Sequence, residues 1–96
     1  MFVVVLTYKQ PLEVIDAHVE AHVAFLDTQY QHGNFLASGR RVPRVGGVIL
    51  ARAMPFADLE AILKTDPFFA HDLADYDIVE FAPNMALPAY AQLIEA

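Results

Sequence analysis

The stretch Phe2 to Leu6 reads Phe-Val-Val-Val-Leu, and it restricts the possible folds more than any other segment. A run of β-branched and large apolar residues that ends at Lys9-Gln10-Pro11 is a strand followed by a break. Side chains alternate across a strand, so Phe2, Val4 and Leu6 leave one face and Val3 and Val5 the other. Both faces are apolar, and both need cover. Val48 to Ala51 repeats the pattern, with Val48 and Leu50 set against Ile49 and Ala51. A chain of 96 residues is sufficient for one domain with a modest core, so one layer of helices can cover one face of such a sheet.

The rest of the chain supplies that layer. From Leu12 to about His32, apolar positions recur at helical spacing through Ile15, Val19, His22, Val23, Leu26 and Tyr30, and Gly33-Asn34 supplies a stop. This predicts one long amphipathic helix. Phe35 to Ser38 reads as a second strand, Gly39 to Gly47 as a turn and Val48 to Met54 as a third strand. Pro55 to Lys64 repeats the helical period through Phe56, Leu59, Ile62 and Leu63. Asp66-Pro67-Phe68-Phe69 opens a short helix, because Asp66 can accept a backbone hydrogen bond while Pro67 needs none at the first helical position. Tyr76 to Phe81 is a fourth strand.

The order β-α-β-β-α-β is the split βαβ pattern, an α+β fold with a four-stranded antiparallel sheet and its helices on one face. Residues 1–83 form this domain. Residues 84–96 are expected as a C-terminal arm or short helix of the same domain, its stripe of Leu87, Tyr90, Leu93 and Ile94 packed on a domain or dimer surface. The other sheet face is apolar, and a second copy across a two-fold axis is its simplest cover, which predicts a homodimer. Composition agrees: 56% of residues are hydrophobic and mean hydropathy is +0.35, more than an interior of this size requires.

Several classes of function are disfavoured. The apolar runs fall well short of the roughly 18 residues a membrane-spanning helix needs, and no signal-peptide pattern opens the chain, so a cytoplasmic protein is expected. The absence of cysteine removes disulfides, thiolate catalysis and cysteine-held metals. Twelve acidic against six basic residues give a net charge of -6, and Arg40, Arg41 and Arg44 form the only basic grouping, so nucleic acid is not an expected partner. No phosphate loop, dinucleotide fingerprint or nucleophile elbow occurs.

His22 is the candidate reactive group. Its place in the stripe of Ile15, Val19 and Leu26 turns the ring toward the sheet, where an imidazole needs a partner. Desolvation and a nearby carboxylate act on it in opposite directions and together suit it to proton transfer. The same spacing fits a core histidine satisfied by backbone or water. Asp66 is explained by capping, yet a capping carboxylate can also hold a histidine N–H. Ser38 could hydrogen-bond a substrate, and Gly39 and Gly47 could let backbone approach one; all three also fit ordinary turn chemistry. His18 and His22 are four apart, a spacing that can clasp a metal, but Glu20 is out of phase for a zincin helix and no metal is expected. His32 fits a cation at a helix C-terminus. His71 and Asp72 follow the short helix with no fixed direction.

Four segments, Ala21-His22-Val23-Ala24-Phe25-Leu26, Gly33-Asn34-Phe35-Leu36-Ala37-Ser38-Gly39, Pro43-Arg44-Val45-Gly46-Gly47-Val48-Ile49 and Asp66-Pro67-Phe68, together resemble the YciI-like (YCII-related) family in order and spacing, over nearly the whole chain through Pro83. The resemblance implies a ferredoxin-like dimeric α/β barrel, related in fold to muconolactone isomerase, with an active site pairing a histidine and an aspartate, here His22 and Asp66. One departure stands out: the family usually has Ser-Gly-Pro where this chain has Ser38-Gly39-Arg40, which alters the turn or the charge at the pocket mouth. The expected function is a small-molecule enzyme performing cofactor-free acid–base chemistry, isomerase- or lyase-like, with Ser38, Gly39 and Phe68 contacting substrate. The competing reading is a non-catalytic small-ligand-binding or dimerisation module.

Overall fold

The computed structural model describes the backbone of residues 1–95 and the side chains of residues 1–94. The elements run β1 (Phe2–Tyr8), α1 (Leu12–Asp16), α2 (Val19–Gln31), β2 (Phe35–Arg40), β3 (Gly46–Ala51), α3 (Phe56–Leu63), α4 (Pro67–Ala70) and β4 (Ala74–Glu80), followed by a 3-10 helix at Pro88–Glu95. The strands form one antiparallel sheet in the order β2-β3-β1-β4. This is the ferredoxin-like α+β arrangement, with β1 central as its doubly apolar sequence requires.

The two faces of β1 have different fates. Phe2, Val4 and Leu6 are buried with Ile49 and Ala51 of β3 against Ile15, Phe25, Leu59 and Leu63 from the helices. Burial of each such side chain contributes about 1.5–3 kcal/mol. Val3, Val5, Val48 and Leu50 on the opposite face stay partly exposed.

The long helix expected between Leu12 and His32 is two helices. His18 leaves helical geometry (φ -114°, ψ 1°) and serves as the N-cap position of α2. Ile15 is fully buried from α1, and the break lets α2 start in a new phase, turning Phe25 and Gln29 inward. Val23 and Tyr30, expected on the inner stripe, are 45% and 37% exposed. Buried Gln29 is satisfied through Asn34, whose Nδ2 donates to Gln29 Oε1 at 2.9 Å and whose backbone N–H donates to the Gln29 carbonyl at 3.0 Å. Gly33 at φ 74° makes that turn, in the left-handed region where glycine is favoured.

Strand β2 extends two residues beyond the expected Ser38, to Arg40, and β3 stops at Ala51 short of Met54. The pairing of β2 with β3 slips between Phe35 and Ala37, leaving Leu36 as an extra residue. That bulge restores the inward phase at Ser38, opposite buried Ile49, and so carries Ser38 and Arg40 to the helix side of the sheet. Gly46 is required by close packing, since a Cβ there would lie 1.7 Å from the Leu6 carbonyl oxygen.

The C-terminal arm covers itself poorly. Leu87 and Tyr90 of its expected stripe are 68% and 59% exposed, and Tyr90 breaks the helical geometry. Ala96, the last residue of the expected arm, lies outside the described residues. No helix among the described residues is long and apolar enough to cross a membrane.

Candidate functional site

Asp66 lies between α3 and α4, where the chain must turn. Its N–H donates to the Leu63 carbonyl that ends α3, and its own carboxylate receives the Phe68 N–H at 3.0 Å to open α4, with Pro67 at the first helical position. The residue is wholly buried. A buried carboxylate without partners would cost several kcal/mol, so the turn holds only because other donors converge on it. Oδ1 meets His22 Nδ1 at 2.8 Å, and Oδ2 accepts the Tyr76 hydroxyl at 2.5 Å. Every buried side-chain polar atom among the described residues has a partner.

α2 supplies the histidine and α4 supports it from behind. The His22 ring lies flat on Phe68, with centroids 4.0 Å apart and planes 5° from parallel. Phe68 is itself pinned edge-on by Tyr8. As a carboxylate Asp66 has no hydrogen to give and can only accept, and in that state His22 Nδ1 carries the hydrogen. In the neutral ring Nε2 is then the free lone pair, and no other residue among those described hydrogen-bonds to it. A donor-acceptor order fixed in this way is what a base needs if it is to present one defined nitrogen.

Tyr76 is held as a phenol. Burial, then the Asp66 charge and the hydrogen bond to it, push its ionisation well above the usual tyrosine range. It donates to Asp66 throughout the physiological range.

His22 borders a cleft of about 230 Å³ between α2 and the β1–β3–β2 part of the sheet. Leu6, Tyr8, Val19 and Leu26 give it apolar walls, while Ser38, Gly39, Gly46 and Gly47 line the strand side and Arg40 and Arg44 its charged part. The volume falls below the roughly 300–1,000 Å³ of drug-sized pockets and suits a one-ring or smaller molecule. Ser38 Oγ is 2.6 Å from the Tyr30 hydroxyl. Arg44 pairs with Asp16.

The five residues singled out from sequence are thus brought to one place in unequal roles. His22 reaches the cleft, and Asp66 sits behind it. Ser38 and Gly39 line the strand side, and Phe68, only 2% exposed, backs the imidazole. His18 and His71 stand elsewhere, their rings tilted 36° to each other with centroids 4.5 Å apart, and Asp72 pairs with Lys9. Among the described residues no group of three histidine or carboxylate side chains could hold a metal. Sequence reasoning missed Tyr76. Its signal was present: on β4 the inward positions are Ala74, Tyr76 and Ile78, and a tyrosine on an inner face needs a partner for its hydroxyl.

A ferredoxin-like α+β domain with a histidine–carboxylate pair at a small cleft defines the class. Within it, the YCII-related domain model matches residues 1–82, and the chain belongs to that family. Among curated proteins no sequence matches it. Among solved structures it is similar to 5-chloro-2-hydroxyhydroquinone dehydrochlorinase (TftG) from Burkholderia phenoliruptrix in complex with 2,5-dihydroxybenzoquinone. That similarity has a TM-score of 0.70 at 16% identity, covering 84% of this chain and 93% of that one.

Proposed function

We propose that this chain is a small-molecule enzyme carrying out cofactor-free acid–base chemistry of the lyase or isomerase kind, with His22 as the proton-transfer group and Asp66 as its positioning residue. The observation that carries the reading is the 2.8 Å contact between His22 Nδ1 and a wholly buried, triply bonded carboxylate beside a cleft. Such a pair fixes the tautomer and steadies the imidazolium that forms when Nε2 takes a proton. In an elimination, Nε2 accepts a proton from an acidic C–H or O–H of the substrate, the released electron pair forms a new double bond, and a leaving anion departs with its own electrons. No redox partner is needed. The dehydrochlorinase with a similar fold, as its name states, removes the elements of hydrogen chloride, and the molecule bound to it is a dihydroxyquinone. A small oxygenated ring is accordingly the substrate class favoured here.

The reading includes a cytoplasmic homodimer, joined through the sheet face that the helices leave uncovered. It is tested with His22→Gln, which keeps approximate size and hydrogen-bonding capacity. Turnover of small hydroxyquinones and their chlorinated precursors is expected to fall by roughly a hundredfold or more, the usual range for loss of a general base, while the melting temperature changes little. A stability loss of about 1–3 kcal/mol with catalysis intact would assign His22 to the core instead.

A further inference from the structure

The charge of this chain is distributed against its average. Twelve acidic and six basic residues make the molecule anionic, yet the cleft beside His22 is lined by two of the six, Arg40 and Arg44, and by no carboxylate among the described residues. Most of the other bases are committed. Lys9 pairs with Asp72 and Asp75, Arg41 donates to Thr7 Oγ1, and Arg52 donates to the Gly33 carbonyl. Lys64 is exposed at the end of α3, away from the cleft. Arg44 is neutralised locally by Asp16. Arg40 differs from all of these: it lines the cleft, and among the described residues its side chain has neither an ion pair nor a hydrogen bond.

Its position follows from the backbone. The extra residue at Leu36 turns Ser38 and Arg40 to the helix side, the side on which His22 stands, and Arg40 pairs in register with Gly47, whose missing side chain leaves room above the strand. Arg40 is exposed at the rim of this cleft, and an unpaired guanidinium there suits a planar oxyanion, because its fork of N–H donors matches two oxygens at once.

We propose, resting on the acid–base reading above, that the cleft selects an anionic substrate, a small ring bearing a carboxylate or ionised hydroxyl oxygens, and that Arg40 is the residue that recognises the charge. Proton removal by His22 then builds further negative charge on a molecule already held by a cation, where a neutral cleft would oppose it.

The probes are 2,5-dihydroxybenzoquinone, ionised at neutral pH, and its uncharged dimethoxy analogue, titrated into the full chain and followed by amide NMR shifts at Gly46, Gly47 and Phe68. The wild type is expected to prefer the ionised quinone. Arg40→Gln should weaken that binding about tenfold or more, leave the neutral analogue unaffected and keep the melting temperature and sedimentation of the wild type. Shifts at the cleft that ignore Arg40→Gln, or a wild-type preference for the neutral quinone, overturn the charge selection and leave the acid–base reading standing. Shifts confined to residues away from the cleft for both quinones overturn the two together.

Discussion

Asp66 accepts three hydrogen bonds in full exclusion from solvent, and this one side chain ties α2, α4 and β4 together through His22, Phe68 and Tyr76. Tyr76 gives the arrangement a measurable signature. Its folded ionisation lies above the ordinary value near 10, so the unfolded chain releases the phenolic proton first. The stabilisation is complete below about pH 10 and is lost as pH rises beyond it. Tyr76→Phe is expected to cost about 1.5–3 kcal/mol at neutral pH and to flatten the alkaline decline. Urea melts between pH 8 and 11 check this, and parallel declines in the two proteins would contradict it. At this scale the sequence was informative where local chemistry acts alone. Asp66-Pro67 announces a helix start whatever surrounds it. The third bond, to Tyr76, depends on β4 folding back beside β1, which no local pattern encodes.

Elements were legible in kind and less so at their joints. The alternation in β1 and β3 specified the sheet centre, and the period of α3 specified a helix, because each depends on neighbours in sequence. The break at His18 and the bulge at Leu36 escaped, since both settle conflicts between distant parts: Ile15 and Phe25 must both reach one core, and Phe35 and Ser38 must both face the helices. Paired glycine substitutions test the sheet. Gly46→Ala drives a methyl into the Leu6 carbonyl and is expected to cost at least about 3 kcal/mol, seen as a lowered melting temperature or loss of soluble protein. Gly39 has nothing within 4 Å of its would-be Cβ. Gly39 faces the same side as Val48, so Gly39→Ala should be neutral or stabilising by about 0.5 kcal/mol in a single chain, and a large loss there would report a second copy closing on that face.

Over the whole molecule, the fold class followed from the order of the elements, whereas assembly depends on a surface that one chain leaves uncovered. Val3, Val5, Val48 and Leu50 form a partly exposed strip along the sheet centre, and Asp75, Asp77 and Val79 lie on the same side along β4. An apolar strip with Asp75 and Asp77 along one edge has the apolar centre and part of the polar rim that protein interfaces carry. Sedimentation at micromolar concentration is expected to give a dimer, and a compact 10.7 kDa species would contradict it. The exposure of Met85, Leu87 and Tyr90 gives the arm apolar surface to contribute to such a contact. The basic cleft in an acidic molecule has one more consequence, for the kinetics of encounter. An approaching anion meets repulsion from carboxylates spread over a body 41 Å long before it reaches the guanidinium, and ions in solution screen those remote charges more than the near one. Added salt therefore relieves the repulsion while it weakens the attraction. For the anionic substrate proposed above, capture is expected to hold nearly steady across ionic strengths at which a uniformly basic receptor would slow, which stopped-flow binding of the ionised quinone at rising salt checks.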